Sequence, residues 1–163
     1  MKRLVLMGGL LVVAMVAPAW AQEQFEVPLE GEAGYFLKIA QDDAAMAVTV
    51  SLIRFDNAVL ELTIGNAAVT RDAVQTVRLC AGCDPVVFIP AYDRSSAYSA
   101  ETGILVWSRT GVWDISILPL KRPVVRDEDG DGAFELVDVW PEGQGGTQRY
   151  EFREGLLSVA EPN

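Results

Sequence analysis

Between Arg126 and Trp140 the chain reads RDEDGDGAFELVDVW, with five acidic side chains in its first ten residues. Counted from Asp127, the alternate positions 1, 3 and 5 are aspartates, position 9 is Glu135, Gly132 stands at 6 and Ala133 at 7. Carboxylates crowded into one turn repel each other unless a positive charge sits among them. A hard divalent cation takes six to eight oxygen ligands at about 2.3 to 2.6 Å, and alternate residues of a tight loop turn their oxygens toward one point. Gly132 permits the sharp turn and the Ala133 carbonyl adds a main-chain oxygen. These residues predict a Ca²⁺ site made by Asp127, Asp129, Asp131, the backbone of Ala133, and Glu135. The competing reading is an acidic surface turn that binds nothing, because Asp and Gly are turn residues in their own right.

The flanking segments must position that loop. Before it, ILPLKRPVV carries two prolines and reads as extended, and after it Phe-Glu-Leu-Val-Asp-Val alternates as a strand. An EF-hand or dockerin loop would be flanked by helices and would take its last ligand at position 12, here Asp138. In a strand, Glu135 and Asp138 point to opposite faces and do not easily reach one ion. Asp138 would instead share a face with Phe134, Leu136 and Trp140, which predicts that it lies at an exposed strand end or pairs with a base such as Arg149. DEDGDGAFE resembles the DxDxDGxxD loop of integrin-type FG-GAP and related VCBS repeats, which bind Ca²⁺ between two strands. That resemblance covers nine to twelve residues in one copy, has Glu135 where Asp is usual, and implies an ion site rather than a fold.

RLCAGCDP places Cys80 and Cys83 in a CxxC. In a cytosolic βαβ setting such a pair suggests a thioredoxin-like dithiol. Here Asp84-Pro85 leads back into a strand, so Cys83 lacks the helix N-terminus that makes such thiolates reactive. The expected state is a disulfide closing a hairpin loop. A zinc half-site is disfavoured because no further Cys and no His exist to complete it.

Period-two patterning from Ala45 onward predicts an all-β fold of about nine or ten strands, a single antiparallel β-sandwich or partial-propeller-like domain. Met46, Val48, Val50 and Leu52 share one parity, and Leu60, Leu62 and Ile64 repeat it after a turn at Asp56-Asn57. A second hairpin joins Ile104 to Ser108 with Val112 to Leu118 through Gly111. A third flanks Arg153-Glu154-Gly155. Further strands are predicted at Tyr35 to Ile39, Val74 to Leu79, Val86 to Ile89 and Phe134 to Val139, with the prolines at their ends. Asn66 to Val74 could hold one short helix, and Tyr92 to Thr102 reads as a surface loop.

Residues 1–21 read as a secretory signal peptide, with Lys2 and Arg3, an apolar run from Leu4 to Val16, and Ala19-Trp20-Ala21 before the cleavage point. The run is too short to span a hydrocarbon core of roughly 30 Å. Residues 22–163 then form a single all-β domain, expected to be periplasmic or secreted, with no membrane insertion after cleavage. The chain has 23 acids against 13 bases and a formal charge of −10. That field repels nucleic acid and anionic lipid and attracts cations, including a cationic envelope protein as partner. The absence of histidine removes Ser/His/Asp and Cys/His catalysis and imidazole-based zinc sites. The function read from these features is a small exported calcium-binding β-domain acting as a binding or interaction module, with no catalysis inferred. The alternatives are an inhibitor or immunity protein against a cationic envelope hydrolase, and a thiol-disulfide oxidoreductase using Cys80 and Cys83.

Overall fold

The computed structural model describes residues 23–29, 34–80, 82–94, 100–109, 111–139, 147–153 and 156–160. The predicted signal peptide lies outside them. The described chain forms thirteen strands in three antiparallel sheets, and none of the sheets closes into a barrel. The first sheet is a meander of β1 (Glu23–Pro28), β2 (Tyr35–Asp42), β3 (Ala47–Arg54) and β4 (Asn57–Gly65). The second contains β5 (Ala67–Ala68), β6 (Gln75–Val77), β7 (Val86–Asp93), β8 (Ala100–Arg109) and β9 (Val112–Leu118), with β5 and β6 both pairing along β7. The third is a meander of β10 (Pro123–Arg126), β11 (Glu135–Val139), β12 (Thr147–Arg153) and β13 (Leu156–Val159). The all-β expectation holds. The short helix expected in Asn66 to Val74 is a 3-10 turn of three residues, Arg71–Ala73.

The centre of β7 and β8 in the second sheet is buried on both faces, and its residue parity divides the apolar side chains between two cores. Val87, Ile89 and Ala91 of β7 and Ile104 and Val106 of β8 pack with Leu37, Ile39, Val48, Val50 and Leu52 of the first sheet. Val86, Phe88 and Leu105 face the other way, onto Leu120, Val125 and Leu136 at the third sheet. Successive strand residues point to opposite faces, so a strand with a core on each side needs a continuous apolar run. VVFIPA and GILV supply it. Fully burying a Phe or Leu side chain contributes about 1.5 to 3 kcal/mol, so Phe88, Ile104 and Leu105 anchor all three layers.

Several boundaries differ from the sequence expectation. The β3–β4 turn is Phe55-Asp56, with Asn57 already paired to Arg54, because Phe55 and Asp56 both take positive φ as a two-residue type I′ connection requires. Asn57 Nδ2 donates to the Phe55 carbonyl at 2.9 Å and braces the turn. The expected loop from Tyr92 to Thr102 is shorter, since Tyr92 pairs with Ala100 and Ala91 with Thr102 in the ladder. Residues 95–99 lie outside the described residues. Pro90 sits inside β7 rather than at its end, opposite Gly103 of β8. On the other edge of β7, β6 stops pairing at Phe88 and β5 resumes at Tyr92, so Pro90 falls where neither strand makes a ladder.

Gly103 lies where the second sheet meets Pro123 of the third. A Cβ there would lie 2.8 Å from Pro123 Cγ and 2.9 Å from both Leu118 Cδ1 and Phe88 Cε2. Gly103→Ala is expected to destabilise the fold by about 1 to 3 kcal/mol, the usual range for overpacking a core. Gly65→Ala, whose Cβ meets nothing within 4 Å, is the control and should change stability little. Urea denaturation of both variants measures the difference, and equal midpoints would contradict the tight approach.

Candidate metal centre

The acidic loop joins β10 to β11, two neighbouring antiparallel strands of the third sheet, so it is flanked by strands and not by helices. One carboxylate oxygen each from Asp127, Asp129 and Asp131 comes together, all within 4.8 Å of one another. The loop backbone turns its N–H groups onto these carboxylates. Asp127 Oδ1 accepts from Gly130 N–H at 2.6 Å and Oδ2 from Gly132 N–H at 3.1 Å. Asp129 Oδ1 accepts from Asp131 N–H at 3.2 Å, and Asp131 Oδ1 from Ala133 N–H at 2.7 Å. Asp129 Oδ2 and Asp131 Oδ2 have no hydrogen bond among the described residues. Gly130 and Gly132 both take positive φ, +78° and +84°, a backbone that a side chain at either position would strain.

Glu135 stands at the start of β11 and is not part of the aspartate group. Its Oε2 accepts Glu128 N–H at 2.8 Å and closes the base of the loop. Ala133 is half-buried and leads into Phe134, whose N–H bonds to the Arg78 carbonyl at 2.7 Å. The set of five ligating residues read from the sequence thus has three carboxylates gathered, with Glu135 occupied by main chain. An exposed acidic triad of this kind could hold a metal ion.

Asp138 departs from expectation. It is 3% exposed, and it does not meet Arg149. Its Oδ1 accepts Arg122 N–H at 2.7 Å, while the Arg122 carbonyl accepts Val139 N–H at 3.2 Å. Asp138 lies opposite Pro123, whose missing N–H interrupts the ladder, and its buried carboxylate satisfies the main-chain donor just before the interruption.

Arg149 belongs instead to Glu128, which the sequence reading passed over. Arg149 Nε and Nη2 both reach Glu128 Oε2 at 2.6 Å, and Arg126 Nη2 pairs with Oε1. Position 2 of the loop has the opposite parity to the three aspartates, which is the signal that could have marked Glu128 as a tether. It clasps the loop to β10 and β12. The hydrogen bond from Arg149 chiefly holds the Glu128 carboxyl below its ordinary value of 4.5; desolvation opposes this, and the hydrogen bond and charge of Arg126 add to the lowering.

Cys80 and Cys83 form a disulfide with Cα atoms 5.3 Å apart. Cys83 N–H bonds to the Cys80 carbonyl at 3.2 Å, and Arg78 Nη1 donates to the Cys83 carbonyl at 2.6 Å. Arg78 therefore touches both the disulfide turn and the exit of the acidic loop. Asp84-Pro85 runs directly into β7, so no helix begins at Cys83. No helix among the described residues is long and apolar enough to cross a membrane. No protein-family model, curated protein or solved structure matches the chain.

Two tests follow from this geometry. The double variant Cys80→Ser, Cys83→Ser should lose about 2 kcal/mol or less, because the closed loop is very short. A larger loss in chemical denaturation would give the disulfide a wider structural role. For Glu128, a lowered folded value means that its stabilisation is fully present above 4.5 and disappears as pH falls through the folded value. The melting-temperature gap between the wild type and Glu128→Gln should be open at pH 7 and shut in acid. An unchanged gap across that range would contradict the clasp.

Proposed function

We propose that the protein is a small exported β-domain that binds one Ca²⁺ in the β10–β11 loop and serves as a binding or interaction module. The observation that carries the reading is the gathering of the Asp127, Asp129 and Asp131 carboxylates within 4.8 Å on a loop turned by two positive-φ glycines. Asp129 Oδ2 and Asp131 Oδ2 are left for an ion, and oxygens already accepting one N–H keep a second lone pair. Glu135 and the Ala133 carbonyl complete the shell once Glu135 releases Glu128 N–H. The strand-loop-strand setting and the DxDxDG spacing support the likeness to FG-GAP and VCBS loops. Ca²⁺ suits an exposed, flexible oxygen set better than Mg²⁺, which demands a tight octahedron and gives up its waters reluctantly.

The N-terminal grammar of Lys2, Arg3 and Leu4 to Val16 supports a periplasmic or secreted location, where Ca²⁺ is available and the Cys80–Cys83 bridge persists. The formal charge of −10 supports a cationic envelope protein as partner, with association weakened by salt.

Calcium should raise the melting temperature, since an ion that binds only the folded state stabilises it by about 2.7 kcal/mol at a hundred times Kd. Asp129→Ala should abolish that dependence. Asp138→Ala should keep it while lowering stability by about 0.5 to 1.5 kcal/mol, the usual net worth of the lost hydrogen bond to Arg122 N–H. Calorimetry with no calcium heat, together with melting indifferent to chelator, would reduce DEDGDGAFE to an acidic turn.

A further inference from the structure

A recess lies between the second and third sheets, with a volume of about 500 Å³. It opens where the edge of β7 is uncovered between β6 and β5, beside Pro90. Phe88, Pro90 and Tyr92, alternate residues of β7, form one wall. Arg122, Val124 and Arg126, alternate residues leading into and along β10, form the other. Among the described residues, no carboxylate lines it.

The two arginines are held differently. The Arg122 backbone is fixed by Asp138 Oδ1 and Val139 N–H, but its guanidinium has no acceptor among the described residues. Arg126 has one partner, Glu128, which it shares with Arg149. A guanidinium carries five N–H donors, so both keep donors to offer. In a chain with 23 acids and 13 bases, a recess whose described lining has two arginines and no acid opposes the overall field.

We propose that this recess binds small organic anions that carry a carboxylate, phosphate or sulfonate head on an apolar or aromatic body. The planar fork of Arg122 matches such heads bidentately. The two prolines, Phe88, Val124 and the Tyr92 ring offer the body an apolar bed, and the volume suits a small molecule rather than a polypeptide. The proposal does not rest on calcium binding in the neighbouring loop.

The test is fluorescence titration of the purified domain with 8-anilinonaphthalene-1-sulfonate and, in parallel, with its uncharged analogue N-phenyl-1-naphthylamine. Arg122→Gln removes an exposed guanidinium and leaves the backbone bonds to Asp138 and Val139 intact, so the fold should survive; unchanged melting confirms that. It should weaken the sulfonate dye roughly tenfold or more, the effect of losing a charge-assisted hydrogen bond, and leave the neutral dye unaffected. Arg122→Glu should abolish sulfonate binding, and inorganic phosphate should compete in the wild type only. Equal sulfonate affinity in the wild type and both variants would overturn the proposal and place the dye elsewhere, for instance in the larger apolar groove by Trp107 and the disulfide. Equal loss of both dyes would also overturn it, because the charge would then not be what is recognised.

Discussion

The central residues of β7 and β8 are buried whichever face they point to, and the rest of the molecule is arranged around that constraint. Odd residues of β7 bury against the first sheet and even ones against the third, so each outer layer covers one side of a single apolar ribbon. The outer sheets need only one buried face, which is why β2 and β4 show alternation while VVFIPA does not. Gly103 follows from the same constraint, because two layers can close on one ribbon only where a side chain is absent at the tightest point. The acidic loop sits outside this packing, at the end of β10 and β11, where carboxylates stay hydrated.

Legibility in the sequence tracked this division. The β3–β4 and β12–β13 hairpins could be read because their polar faces mark the period. A sandwich with one core was the natural expectation from such patterns, and the doubly buried β7–β8 pair is what turns it into three layers with two cores. A short apolar run says only that a segment is buried, not on how many sides. Pro90 was misplaced for a related reason: a proline is excluded from a strand only where a ladder bond is required, and the gap between β6 and β5 is a tertiary fact. The β3–β4 turn moved by one residue because Phe55 takes a positive φ against its own preference, held by a backbone bond to Gly34 and by the Arg54 guanidinium 5.3 Å from its ring centroid.

The candidate site was legible to the extent that local spacing decides it. Asp127, Asp129 and Asp131 converge because alternate residues of a loop with two positive-φ glycines have little choice. Glu128 and Asp138 were not legible, since their partners Arg149 and Arg122 lie 21 and 16 residues away. Assigning Arg149 to Asp138 followed charge alone. Burial decided otherwise, because a main-chain N–H next to a proline needs an acceptor inside the sheet, whereas Arg149 can find one at the surface.

These assignments place opposite charges side by side. Arg122, Arg126 and Arg149 crowd the surface of the third sheet, and the three aspartates begin at the residue after Arg126. Glu128 lies at the seam, bound by two of the arginines and donating its own N–H to Glu135. Without a cation, the loop's carboxylates oppose an anion approaching Arg126, which directly precedes Asp127, since charges within about 10 Å are only partly screened at 0.1 M salt. A cation bound there as proposed would offset part of that charge, and Glu135 would have to release Glu128 N–H to reach it. If the two proposed sites are coupled through this seam, linkage requires that each ligand change the affinity of the other by the same factor.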